Sequence, residues 1–176
     1  PGTGSLLVDA TAPEAPVIND LITNDTTPTI TGTAEAGSTV TITIGTDVYT
    51  TTATGDGSWT KTATNALAEG DYDILATATD ALGNVSVEAT GSLEIDITAP
   101  ADPVVTYVSA TEIVGTATAD IYVQVYRSNG TTEVANTYAD TSGDYTISFN
   151  PIRTHNETLY VSTFDVAGNE SNKVEV

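Results

Sequence analysis

The chain has 176 residues, with 24 Asp plus Glu against four Lys plus Arg, a formal net charge of −20, and neither Cys nor Met. That charge is repelled by phosphate backbones and anionic bilayer surfaces, so neither nucleic acid nor direct membrane contact is expected. Without cysteine there is no disulfide and no thiolate centre.

Threonine makes up roughly a fifth of the residues and is joined by many Val, Ile and Ala, a composition that suits pleated strands. The opening PGTGSLLVDA lacks the basic and apolar segments of a signal peptide, and the chain is expected to be an excerpt of a longer one. VDATAP at 8–13 returns as IDITAP at 95–100, an offset of 87 positions that marks a unit boundary. Between these marks the halves overlay: ITGTAEAGSTVTITI from Ile30 on IVGTATADIYVQV from Ile113, GSWTKTAT from Gly57 on GDYTISFN from Gly143, and ATATDALGNVS from Ala76 on VSTFDVAGNES from Val161. The reading is a linker end or remnant at 1–11 and two copies of one domain at 12–98 and 99–176.

In the first copy Val40, Ile42 and Ile44 alternate with threonines, as Tyr72, Ile74, Ala76 and Ala78 do with their neighbours; period two places one face of each strand in a core. Turn signals set strands near 15–18, 28–34, 38–44, 48–54, 59–64, 72–79 and 86–95, with NDLITNDTTP read as a turn. The second copy keeps the parity, with strands near 103–107, 111–117, 121–127, 133–138, 145–149, 158–164 and 171–176. The fold class is all-β, two tandem antiparallel sandwiches joined by a short linker. Trp59, matched by Tyr145, reads as core bulk.

Alternating strand direction assigns carboxylates to poles. Asp80 and Asn84 of the DALGN turn are expected beside Asp9, and Asp165 and Asn169 beside Asp96 in the interdomain linker. Asp20, Asn24, Asp25, Asp47, Glu69 and Asp71 are expected together at the opposite pole of the first copy. Crowded carboxylates with few basic partners raise each other's pKa or recruit a cation, and an oxygen-only ligand set without His or Cys is the preference of Ca2+. The other reading of DxxGN is a tight turn in which Asp accepts backbone hydrogen bonds and Gly or Asn takes a positive φ. No EF-hand loop is present.

Nucleophilic catalysis has no evident base, since His155 is the only histidine and reads as a loop residue; the chain is not expected to be an enzyme. Asn-x-Ser/Thr triplets stand at Asn24, Asn84, Asn129, Asn156 and Asn169. They would be glycan acceptors only in a eukaryotic secretory route.

DATAP and DITAP, with TGTAEAGSTVTI, GDGSW, EGDYDILATATDALGN and their partners in the second half, resemble the bacterial immunoglobulin-like repeats of giant, type I-secreted surface adhesins. The likeness spans nearly the whole chain and is looser in the second copy, where ATAD at 117–120 replaces the usual AxAG phrase. The resemblance implies immunoglobulin-like Greek-key sandwiches arranged end to end, with Ca2+ at the linkers stiffening an extender on the bacterial cell surface. Carried residue by residue, it makes Asp9, Asp80, Asp96 and Asp165 the leading Ca2+ ligands and Asp102 and Asp120 secondary ones. The implied partners are neighbouring repeats of the same chain and, through other domains, a remote host, biofilm or surface target; the segment itself is expected to be monomeric. The alternative function is a glycan- or protein-binding module of the same kind of adhesin.

Overall fold

The computed structural model describes residues 10–149 and 157–176. They form two compact units that meet in the sequence at Ile95 and Asp96. The first unit contains β1 (Val17–Ile18), β2 (Leu21–Thr23), β3 (Thr29–Thr33), β4 (Thr39–Ile44), β5 (Asp47–Thr52), β6 (Ser58–Thr62), β7 (Gly70–Thr79) and β8 (Ala89–Ile95). Its two sheets are ordered β1-β3-β6 and β2-β8-β7-β4-β5. The second unit contains β9 (Val104–Val108), β10 (Glu112–Thr116), β11 (Tyr122–Arg127), β12 (Glu133–Tyr138), β13 (Asp144–Ser148), β14 (Leu159–Phe164) and β15 (Val174–Glu175). Its sheets are ordered β13-β10-β9 and β12-β11-β14-β15.

Period-two alternation places Val40, Ile42, Ile44, Ile74, Ala76, Leu93 and Ile95 in the first core and Ile113, Val123, Val125, Ile147, Leu159 and Val161 in the second. Each such Ile, Leu or Val stabilises its unit by about 1.5–3 kcal/mol relative to exposure. The bulk of each core is completed by one aromatic laid across a glycine of the paired strand. Trp59 is paired with Gly32 and Tyr145 with Gly115. A Cβ at Gly32 would come within 2.5 Å of the indole, and one at Gly115 within 2.4 Å of the phenol oxygen. Glycine at these two positions is therefore what lets each ring lie flat against the neighbouring backbone.

Three strand assignments read from the sequence need correction. In place of the expected antiparallel strand at 15–18 and turn at 19–28 there are two short strands in different sheets: β1 pairs with β3, whereas Leu21–Thr23, within the expected turn, runs parallel to Leu93–Ile95 of β8. The switch is held at Asn19 and Asp20. Asn19 donates its backbone N–H to Thr31 O at 3.0 Å, and Asp20 Oδ1 accepts the Ser92 N–H at 2.7 Å. That bond holds the Asp20 carboxyl below its ordinary value. Gly91 leaves room for the crossing chain, because a Cβ there would sit 2.6 Å from Ile18 Cγ2. The strand expected at 86–95 begins only at Ala89, and that expected at 171–176 is reduced to Val174–Glu175. The serines that replace them are part of the turn described next.

Candidate functional site

Each copy of DxxGNxS folds into the same turn. Asp80 Oδ1 accepts the N–H groups of Leu82 and Asn84, both at 2.8 Å, while Oδ2 accepts from Asn84 Nδ2 at 2.7 Å. Asp165 repeats this with the N–H and Nδ2 of Asn169, both at 2.9 Å. Gly83 and Gly168 take φ of 92° and 93°, the left-handed region in which glycine is unstrained. The Asn84 amide, with the turn N–H groups, holds the Asp80 carboxyl below its usual range. The turn reading of this motif is thus satisfied in full.

The serine two residues on continues the same device. Ser86 Oγ accepts the Ala78 N–H at 2.9 Å and Ser171 Oγ accepts the Thr163 N–H at 3.0 Å; both serines are buried. Each hydroxyl satisfies a strand donor where the adjacent strand has not yet begun. This gives Asn84 and Asn169, and the serines that follow them, packing roles within the Asn-x-Ser triplets.

In the second unit the turn also holds the linker. Asn169 Nδ2 donates to Asp96 O at 2.8 Å, and Thr98 N–H to Asp96 Oδ1 at 2.9 Å. Thr163 Oγ1 donates to Ala101 O at 3.0 Å, and Asp102 accepts the N–H and Nδ2 of Asn172 at 2.9 and 3.3 Å. The expected adjacency of Asp96, Asp165 and Asn169 is therefore present, whereas Asp102 is engaged separately by Asn172. Asp120, the one non-glycine residue with positive φ (59°) among the described residues, lines one open concavity of about 460 Å³ together with Asp165. Asp9 and His155 lie outside the described residues.

The carboxylates expected to converge at the far pole of the first unit are dispersed, and Asp20, Asp25 and Asp47 are each used by their own neighbourhood. Asp25 Oδ1 accepts from the Thr27 N–H and hydroxyl, and Asp47 accepts from Tyr49 Oη and Asn65 Nδ2. Asp20 is at the sheet switch. Asp71, in β7, lies opposite Glu94 of β8, and Glu69 immediately precedes β7. Among the described residues no three His, Cys, Asp or Glu side chains lie close enough to hold a metal ion together.

Sequence reasoning missed a group of aromatics carried on strands. Tyr122, Tyr138 and Phe164 stand side by side on β11, β12 and β14, at positions where the first unit has Thr39, Thr52 and Thr79. The signal was available in the parity: these are outward-facing positions, where bulky aromatics have no core to fill.

Each unit is a sandwich of two mainly antiparallel sheets, the architecture of immunoglobulin-like domains. Residues 13–97 match the family model described as a bacterial Ig-like domain, and residues 99–176 the one described as a bacterial Ig domain; the chain belongs to the bacterial Ig-like domains. Among solved structures, the fibronectin(III)-like modules of Clostridium thermocellum CbhA share the fold at 16% identity, with 92% of this chain and 91% of that chain covered and a TM-score of 0.56. A Ca2+-stabilized adhesin that helps an Antarctic bacterium reach out and bind ice is 24% identical over 95% of this chain, with a TM-score of 0.43. The chain spans 48% of that structure. A tetra-tandem repeat from the extending region of a large adhesion protein is 25% identical over 96% of this chain and 50% of its own, with a TM-score of 0.37. No curated protein matches the chain significantly.

Proposed function

We propose that this chain is a spacer segment of an extracellular bacterial adhesin, stiffened by Ca2+ at its interdomain linker, that sets distance between a cell surface and a remote binding region. The observation that carries the reading is the linker: Asp96, Ala101 and Asp102 are each held by a side chain of the second unit, and Asp96 directly follows the last paired residue of β8. A spacer needs this economy of free chain, since each unrestrained linker residue adds angular freedom. The repeat itself, two Ig-like domains in tandem, is an architecture that adds length without adding chemistry.

Ca2+ enters through the charge. With a net charge of −20 the chain repels itself, and the Asn169 amide joins the Asp165 carboxylate to the main-chain carbonyl of Asp96, both oxygen donors. A carboxylate offers about four lone-pair sites and a carbonyl two, so each retains acceptor capacity beyond the bonds described. Ca2+ takes oxygen ligands in flexible geometry and fits such a set better than a stricter octahedral ion would. Asp120, and in the first unit Asp9 with Asp80, are the further candidates. Binding that favours the ordered linker stabilises it by mass action, by about 2.7 kcal/mol when free Ca2+ is a hundredfold above Kd.

Small-angle scattering and calorimetry of the whole chain, in Ca2+ and in chelator, test this. The expected result is a narrower distance distribution and a higher melting temperature in Ca2+. Superimposable scattering profiles and an unmoved melting point would remove the Ca2+ mechanism.

A further inference from the structure

The outward face of the second unit's larger sheet differs in kind from that of the first. Tyr122, Gln124 and Tyr126 alternate along β11 with buried Val123 and Val125, and Tyr122 stands in register between Tyr138 and Phe164. The Tyr122 ring lies 5.2 Å from Tyr138 at 62° and 6.2 Å from Phe164 at 58°. Rings inclined this steeply form walls. They do not form the flat platform that a sugar ring stacks on. The walls border the concavity of about 460 Å³ that Asp120, Asp165 and Val166 also line. Tyr138 is 67% and Val166 79% exposed, so the space opens to solvent.

Charge decides what such a space accepts. Aromatic faces carry negative quadrupole potential, two carboxylates add to it, and no basic side chain lines the concavity. Anions are repelled, and a cation with an apolar surface satisfies both the rings and the acids. The same strand already shows this arrangement completed from within: Lys173 Nζ lies 4.5 Å from the centre of the Tyr126 ring and 3.0 Å from Glu170 Oε1. At the Tyr122 end the aromatics and carboxylates are present and the ammonium is not. Arg127 and Lys173, the described basic residues of the unit, are paired with Glu157 and Glu170. The Asp120 carboxylate makes no hydrogen bond or ion pair among the described residues.

We propose that the concavity bounded by Tyr122, Tyr138, Phe164, Asp120 and Asp165 binds a small organic cation, an alkylammonium or quaternary ammonium group. The site belongs to the second unit alone and does not depend on the spacer reading.

The test titrates the whole chain with choline in chelator, following aromatic and methyl NMR signals. The control is choline's neutral isostere, in which tert-butyl replaces trimethylammonium. Choline should give saturable shifts at Tyr122, Tyr138, Phe164 and Val166, and the isostere should not. Tyr138→Ala and Asp120→Asn alter exposed side chains and should each weaken binding by roughly fivefold to tenfold while other signals keep their dispersion. Equal binding of the isostere would reduce the site to an apolar patch and overturn the proposal. So would equal shifts with a neutral methyl glycoside, or no shift with choline. Asp120 and Asp165 are also Ca2+ candidates, which is why the titration is run in chelator. Scattering of the parent chain in Ca2+ is read without choline, so either reading can fail without the other.

Discussion

Removing one hydroxyl, in Ser86→Ala, isolates the contribution of the DxxGNxS turn to the first unit. The side chain is 7% exposed and its Oγ is the acceptor for the Ala78 N–H at 2.9 Å, with Ala78 wholly buried. Alanine keeps the Cβ and opens little space, so the loss is that of a buried donor left without an acceptor, about 1–3 kcal/mol. The second bond, from Ser86 Oγ to Val87 O at 2.8 Å, contributes less because Val87 is 75% exposed and water replaces the hydroxyl. A loss near 2 kcal/mol lowers the melting temperature of a domain this size by roughly 8–16 °C. Trp59, the sole tryptophan, is buried in the first core and reports that unit's unfolding by fluorescence. Ser86→Ala should shift the Trp59 transition, and Ser171→Ala should leave it in place while lowering the tyrosine-detected transition of the second unit. A Ser86→Ala protein that melts with the parent would refute the accounting. So would a Ser171→Ala protein that moves the Trp59 signal equally.

Tyr145→Phe should leave the stability of the second unit unchanged or raise it by up to about 1 kcal/mol in denaturant titration, because its buried hydroxyl has no partner among the described residues and burial pushes the phenol up to about 12. A loss of more than about 1 kcal/mol would mean that the hydroxyl is satisfied after all. Acid should weaken the first unit in a defined window. Thr54 and Ser58 lower the Asp56 carboxyl from 3.8 to about 2, and Asp20 and Asp80 are lowered too, so their stabilisation is full above the unfolded value and is lost as pH falls toward the folded ones. Asp56→Asn should flatten the Trp59-detected stability profile in that window, and an unchanged profile would contradict the assignment.

The cores were legible because Val40, Ile42 and Ile44 fix parity wherever one face is buried, and a slip of one residue would reverse it. The edges were not, for two physical reasons. Around Asn19 and Asp20 each strand fragment is too short to show a period, and what joins the second fragment to β8 is parallel pairing that no local pattern encodes. At 85–88 the alternation is real but inverted. Val85 and Val87 face solvent and Ser86 faces inward, because the inward position serves a backbone donor and not a core. The acidic turns were legible as a repeated motif. Which partner each carboxylate takes was not, since Asp25, Asp47 and Asp20 differ only in the side chains and backbone groups that folding brings beside them.

Asn169 is where the turn and the Ca2+ readings can be separated. Its Nδ2 joins Asp96 O to Asp165 Oδ2, so an amide already ties the linker to the second unit without an ion. Asn169→Asp removes that donor but keeps the backbone N–H that Asp165 Oδ1 accepts, so the turn itself survives. In chelator, the lost bonds and a new carboxylate beside that of Asp165 and the Asp96 carbonyl should destabilise the second unit by about 1–3 kcal/mol. In Ca2+ the same carboxylate becomes an additional oxygen ligand and its repulsion is neutralised. The rise in melting temperature on adding Ca2+, measured by calorimetry, should therefore be larger in the variant than in the parent. An equal rise in both, or none in either, would show that no ion binds beside this residue. A variant as stable as the parent in chelator would show that the amide does not hold the linker.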